Sequence, residues 1–396
     1  MLRLQLLLLM SIIGIGILAT VFALSSFGIY SSGISEDDSK KIVSSGNNRE
    51  TRTTTTTTNT IMTPFGVYKT TGDILDPTSQ QSSGKKIVVD PMKYLRAFNY
   101  GRVSTLPNGT TVREFTLIAS DDKFMEISPG IFYNVWTFNG TVPGPTLRAT
   151  EGDLIRINFI NNGSKFHSIH THGIHPAEMD GAFEMIGPKG GRFTYEFIAK
   201  PFGVFPYHCH MQPLEEHISH GLYGVYIVDP KNKPRPNADE MVMVMNGYDT
   251  DNDKENNFYT VNGIPYYYMH HPIQIEKGRL IRVYLVNMLE FDQINNLHLH
   301  GNLYQLYRSG TSLTPSEYTD IVTMSQGERG ILEFNYNYTG PYMFHAHKTE
   351  FAEKGWVGSF LVKEPVKLNK ITPIVEDKKL LKEDQASTGE KRGGSY

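Results

Sequence analysis

The chain has 396 residues, with 38 Lys+Arg against 41 Asp+Glu and a formal net charge of −3. That balance excludes a protein built to hold nucleic acid, which needs a basic surplus on one face. A single cysteine excludes an intrachain disulfide framework. The 36 Gly and 21 Pro suit a turn-rich globular body, and the length favours two to three domains.

In chain order, residues 4 to 35 carry no charge, Leu6 to Leu24 is almost wholly apolar, and Arg3 supplies a short positive start. The pattern predicts a signal peptide or an uncleaved membrane anchor over 1–30. Ala19 and Ala23 offer small residues for cleavage, and the run reaches the roughly 20 residues that cross a bilayer. Either form places the body outside the cytoplasm, secreted or anchored to the outer face of the cell membrane. Residues 31–89 are rich in Ser, Thr and Asn, with six threonines from Thr53 to Thr58. They lack the apolar content for a core and predict a flexible linker. Residues 364–396 are rich in Lys, Glu and Asp and predict a charged disordered tail.

Between them, strand signals dominate. Leu154–Ile160 and Leu280–Val286 are short, rich in β-branched residues and partly alternating. Turn pairs such as Asn108-Gly, Asn139-Gly and Asn262-Gly separate such runs. The two halves repeat each other in order. Gly152-Asp-Leu-Ile-Arg156 matches Gly278-Arg-Leu-Ile-Arg282, and His170-Thr-His172-Gly matches His298-Leu-His300-Gly. Phe205-Pro-Tyr-His-Cys-His210 matches Tyr342-Met-Phe-His-Ala-His347, and Gly221–Val228 matches Gly355–Val362. The prediction is an all-β chain with two homologous β-sandwich or barrel domains, 90–230 and 237–363, joined by Pro230 to Pro236.

The histidines carry the chemistry. With 14 His in the chain, chance predicts about half a His-x-His pattern, by simple counting over the window. Four occur, at 170/172, 208/210, 298/300 and 345/347, one early and one late in each domain. Side chains alternate faces along a strand, so His208 and His210 point one way and Cys209 the other. Eight converging imidazoles suit a cluster of Cu, Zn, Fe or Ni rather than one ion. A Cys thiolate with two His and a weak axial ligand is the blue-copper set, and His167 and His217 are the candidate partners of Cys209.

These motifs, with Phe138-Asn-Gly-Thr-Val-Pro-Gly-Pro-Thr-Leu147 and Leu297-His-Leu-His-Gly301, resemble the two-domain, laccase-like multicopper oxidases, which are related to copper nitrite reductases. The resemblance covers about 110 to 363. It implies two cupredoxin domains, each a Greek-key β-barrel, and copper as the cofactor, four ions per chain. It implies a type 1 copper held by His167, Cys209 and His217, with non-ligating Leu222 at the axial position and Met211 as its competitor. It implies a type 2 copper held by His170 and His298. The type 3 pair falls to His172, His208, His210, His300, His345 and His347. The partners implied are O2 and a reducing substrate or redox protein, and the assembly is a homotrimer whose cluster lies between neighbouring chains. Asp180 resembles the acid that family members place beside the cluster, with a turn-forming Asp-Gly as its alternative. Glu350 is a second catalytic candidate. In the second domain Ala346, Asn295 and Phe351 replace type 1 ligands, so that domain carries no type 1 site.

Two rivals remain at this level. A copper nitrite reductase needs one catalytic copper, and its motif has no second His after the Cys, so His210 argues against it. A non-enzymatic electron carrier leaves the eight-His set unexplained. The electron donor stays open among phenols, metal ions, small nitrogen compounds and redox proteins; Met179, Met185 and Met211 hint at a metal ion, though Met more often fills core gaps. His175, His220, His270 and His271 receive no role.

Overall fold

The computed structural model describes residues 58–63, 66–71 and 85–365. The apolar segment 1–30 and the tail 366–396 lie outside the described residues. No helix among the described residues is long and apolar enough to cross a membrane.

Part of the stretch read as a flexible linker is strand. β1 (Thr58–Thr63) and β2 (Gly66–Thr71) form an antiparallel hairpin. Composition alone misses it: threonine is polar and so reads as tether, but it is β-branched and favours extended backbone. The first domain also begins earlier than 90, because β3 (Lys85–Ile87) pairs with its sheet.

The first domain continues with β4 (Phe98–Asn99), β5 (Arg102–Thr105), β6 (Thr111–Ser128), β7 (Ile131–Phe138), β8 (Thr146–Thr150) and β9 (Leu154–Asn161). β10 (His170–Thr171), β11 (Gly191–Ile198), β12 (Gly203–His208) and β13 (Tyr223–Asp229) complete it. One sheet runs β10-β12-β13-β8-β4, and the other runs β11-β9-β6-β3 with β5 and β7 also on β6. Parallel pairs β8/β13 and β6/β9 join strands distant in sequence, as in a cupredoxin-like Greek key. In β9 every second residue is buried, so Ile155, Ile157 and Phe159 enter the core and the residues between face outward.

The second domain contains β14 (Asp239–Tyr248), β15 (Phe258–Val261), β16 (Ile273–Glu276), β17 (Ile281–Asn287), β18 (Ile294–Leu299) and β19 (Tyr304–Arg308). β20 (Glu317–Thr319), β21 (Ile321–Ser325), β22 (Arg329–Phe334), β23 (Gly340–His345) and β24 (Val357–Lys363) follow. Its sheets run β15-β14-β17-β22-β19-β20 and β16-β24-β23-β18-β21.

The predicted alternation fails instructively in β17, which is buried throughout. Ile281, Val283 and Leu285 enter the second domain's own core. Tyr284 and Val286 enter a separate core shared with Val142, Tyr223 and Val225 of the first domain. The outer face of β17 is thus an interdomain face. An ionic net crosses the same seam. Arg148 of β8 meets Asp229 at 2.8 Å and Glu240 of β14 at 2.7 Å. Arg282 meets Glu240 at 2.9 Å and Glu333 at 2.6 Å. Removing one partner from such a buried net costs about 3–5 kcal/mol, because a charge is left uncompensated.

Candidate copper centres

The two domains present the histidines on equivalent strand pairs. In the first, β10 and β12 set His170 opposite His208. In the second, β18 and β23 set His298 opposite His345. His170 is the hub of its quartet, with ring centroids 5.1 Å from His172, 5.3 Å from His208 and 5.2 Å from His210. His298 holds the same place, at 5.0 Å from His300, 5.5 Å from His345 and 5.3 Å from His347.

Hydrogen bonds on the outer ring nitrogens aim the inner ones. Main-chain carbonyls engage Nδ1 of four rings: Asp180 O at 2.8 Å from His170, Cys209 O at 2.9 Å from His208, Asp320 O at 3.1 Å from His298 and Ala346 O at 2.7 Å from His345. A carbonyl only accepts, so each Nδ1 carries its proton and each Nε2 keeps a lone pair. His208 Nε2 then faces His172 Nε2 at 3.2 Å, and His345 Nε2 faces His300 Nε2 at 2.9 Å. Protonation is a poor way to relieve the first pair. Burial, then the neighbouring imidazoles, pushes His172 down to about 3. Burial, partly offset by the Cys209 carbonyl, takes His208 to about 4. Burial likewise lowers His170, His300 and His345. Neutral imidazoles with converging nitrogens fit a transition metal, and imidazole is a preferred copper ligand.

Behind the first quartet, Cys209 turns into the barrel and is fully buried. Its Sγ lies 3.1 Å from His217 Nδ1 and 3.7 Å from His167 Nδ1, and the two nitrogens are 3.2 Å apart. Ser168 N–H donates to the sulfur at 3.4 Å. Burial pushes the free thiol up to about 11, so a bound cation must displace its proton for a thiolate to exist. Burial, then the His167 ring, drops His217 to about 3 and keeps it a neutral ligand. One soft sulfur and two imidazoles converging within this space are the chemistry of a type 1 copper. Leu222 and Met211 are both buried in the core cluster that holds Cys209.

Family models described as multicopper oxidase match residues 125–233 and 235–366. The chain belongs to the multicopper oxidase family. A crystal structure of a multicopper oxidase is 54% identical, covers 69% of this chain and 97% of its own, and superposes with a TM-score of 0.68. The blue copper oxidase from Nitrosomonas europaea is 28% identical, over 64% of this chain and 86% of its own, with a TM-score of 0.56. The copper-containing nitrite reductase of Neisseria meningitidis serogroup A is 26% identical over 263 residues, 61% of this chain and 67% of its own length. The family and these copper oxidoreductase relatives make the chain a copper-dependent oxidoreductase.

The structure brings His167, Cys209 and His217 together, and it brings each histidine quartet together. No contact joins one quartet to the other among the described residues; a domain 2 turn, at Gly327, approaches His172 instead. Asp180 stands beside its quartet: Oδ1 is 3.4 Å from His170 Nδ1 and 3.7 Å from His175 Nε2. The Asp-Gly turn also serves it, because a Cβ on Gly181 (φ +77°) would lie 1.9 Å from Ile169 O. Glu350 is different. Its carboxylate pairs with Lys354 at 2.8 Å, one turn along the same short helix, and reaches no imidazole among the described residues. Of the unassigned histidines, His175 joins Asp180, and His220 is sandwiched between Trp136 and Tyr133 at 4.8 and 5.1 Å. His271 stacks on Tyr267.

Sequence reasoning missed Trp136 and Asp121. Trp136 sets its ring edge-on to His217 at 4.8 Å. Asp121 Oδ2 lies 3.3 Å from His167 Nε2. Burial alone would raise this carboxyl, but bonds from His167, Lys165 and Ser164 outweigh it and hold the group well below the usual carboxylate range. The scarcity of Trp, two in the chain, was the available signal for the first.

Proposed function

We propose that the protein oxidises a reducing substrate one electron at a time at the Cys209 site and reduces O2 to water at a cluster built from the eight paired histidines. The observation that carries this reading is the pair of matched quartets, each with opposed Nε2 atoms, with a single thiolate set behind the first. Copper, when bound, supplies the one-electron carriage at the thiolate set and the four-electron oxygen chemistry at the imidazole set. The chain's own residues organise the rest. His208 and His210 flank Cys209 on the opposite strand face, so a few covalent bonds connect the two sets. Asp180 orients His170 through its main-chain carbonyl, and its Oδ1 can hold a proton between His170 and His175.

Each quartet is half of the site in this reading. The domain 1 quartet of one chain meets the domain 2 quartet of a neighbour in a homotrimer, giving four coppers per chain: one type 1, one type 2 and two type 3. Leu6–Leu24 supports an extracytoplasmic location. The nitrite reductases among the relatives favour nitrite as a second acceptor to test. Copper-loaded protein is expected to carry four coppers per chain and to consume O2 with a reducing donor. Two coppers per chain, with nitrite but not O2 consumed, would replace the oxidase reading by the reductase one.

A further inference from the structure

Asp121 is a carboxylate with 4% of its side chain exposed, a costly residue to place inside a β-barrel. Three local features put it there. The first is a bulge in β6. Ser120 pairs with Thr137 and Lys123 with Val135, so Asp121 and Asp122 together oppose Trp136 alone. A bulge re-aims side chains, and here Asp121 turns inward while Asp122 stays out, 61% exposed. The second is the turn after β9, which wraps the carboxylate in donors. Ser164 N–H donates to Oδ2 at 2.7 Å, Ser164 Oγ at 3.1 Å and Lys165 N–H at 3.0 Å. The third is Gly163. A Cβ there would lie 2.7 Å from both Asp121 Oδ2 and His167 Nε2, so only glycine lets the two meet.

We propose that Asp121 is a positioning residue for the type 1 copper: it accepts a hydrogen bond from His167 Nε2–H, fixes that ring with Nδ1 toward Cys209, and holds the site's reduction potential down. The proposal rests on the type 1 reading of Cys209, His167 and His217. Its physics is simple. His167 Nε2 can only donate to a carboxylate, which leaves Nδ1 as the ligand atom beside Cys209 Sγ. A fixed anion one imidazole away favours the more positive, oxidised metal, and it acts through a dry, low-dielectric path. This opposes Leu222, whose inability to ligate raises the potential.

The test uses the copper-loaded full chain and spectroelectrochemistry of its blue band. Asp121→Asn keeps the shape and removes the charge. The blue band is expected to persist and the midpoint potential to rise, while Asp122→Asn, next door but exposed, leaves the potential at the wild-type value. A potential for Asp121→Asn no higher than that of the Asp122→Asn control overturns the proposal. Should Asp121→Asn fail to bind copper, proton ENDOR of the wild-type oxidised copper reads the same contact. An imidazole N–H proton of His167 that resists exchange in D2O supports it, and one that exchanges freely overturns it. A wild-type protein with full copper and no blue band sinks the type 1 reading itself, a separate result.

Discussion

The two barrels build the same pocket and fill it differently. In the first, Cys209 N–H donates to Leu222 O and Leu222 N–H to His217 O, at 2.9 and 3.1 Å. In the second, Ala346 N–H donates to Trp356 O and Trp356 N–H to Phe351 O, at 3.1 and 2.8 Å. The main chain is equivalent, so the thiolate set of the first barrel is a choice of side chains on a shared scaffold. Cys209, His217, His167 and Leu222 become Ala346, Phe351, Asn295 and Trp356. Volume replaces ligation: Trp356 and Phe351 are fully buried, and Phe351 stacks on Tyr259 at 3.8 Å. Asn295 Oδ1, standing where His167 would, accepts from Trp356 Nε1 at 3.1 Å.

Predictions can break that comparison. The largest effect is expected at the sulfur. Cys209→Ser should bleach the blue absorption and stop turnover, both read on copper-loaded protein. Next come the histidines of the barrel without a thiolate. His298→Ala or His345→Ala should keep the blue band yet abolish O2 uptake in an oxygen electrode. Retained uptake there would show that the second quartet is ornamental.

Trp356 tests the other half of the contrast. Trp356→Ala should destabilise the second domain by about 3–5 kcal/mol, the usual cost of emptying a buried aromatic site. Denaturant unfolding measures it, and the blue band of folded protein should not move. An effect below about 1 kcal/mol, the size of an ordinary surface change, would mean the pocket is not held by packing.

The last effect concerns acid. His172, His208 and His217 stand at about 3, 4 and 3 when folded, against 6.5 ordinarily. Between those values the unfolded chain binds more protons, so their stability contribution is full above about 6.5 and is lost as pH falls toward about 3. Copper-free protein should therefore show a falling denaturation midpoint across that window, most of it in the first domain. A flat profile would contradict the buried, neutral rings.

Much of this was legible in the sequence, for a physical reason. A two-residue period places alternate side chains on one face, so four His-x-His pairs in a duplicated frame announce a converging ligand set. That Ala346, Asn295 and Phe351 stand where the first domain has Cys209, His167 and His217 came from the resemblance to two-domain multicopper oxidases, not from spacing. What escaped depends on contacts distant in sequence. Asp121 lies 46 residues before His167 and reaches it through a bulge that no alternation predicts. Trp136 meets His217 from another strand. Asp180 does part of its work with a carbonyl, which every residue has. Glu350, the second candidate acid, pairs with Lys354 instead. β17 reads as a half-buried strand because its second buried face belongs to another domain.

The central claim, a cluster completed between chains, has one direct test. Variants lacking His208 and lacking His298 are each inactive on this account, and neither change removes a ligand of the thiolate set. Refolded together in equal amounts, they should form trimers in which about a quarter of all interfaces, about one in three within each mixed trimer, combine an intact first domain with an intact second domain from different chains. O2 uptake should return to about a quarter of the wild type, by the same closed-ring symmetry. A mixture that stays inactive despite confirmed mixed oligomers, or a fully active wild-type monomer, would contradict the account.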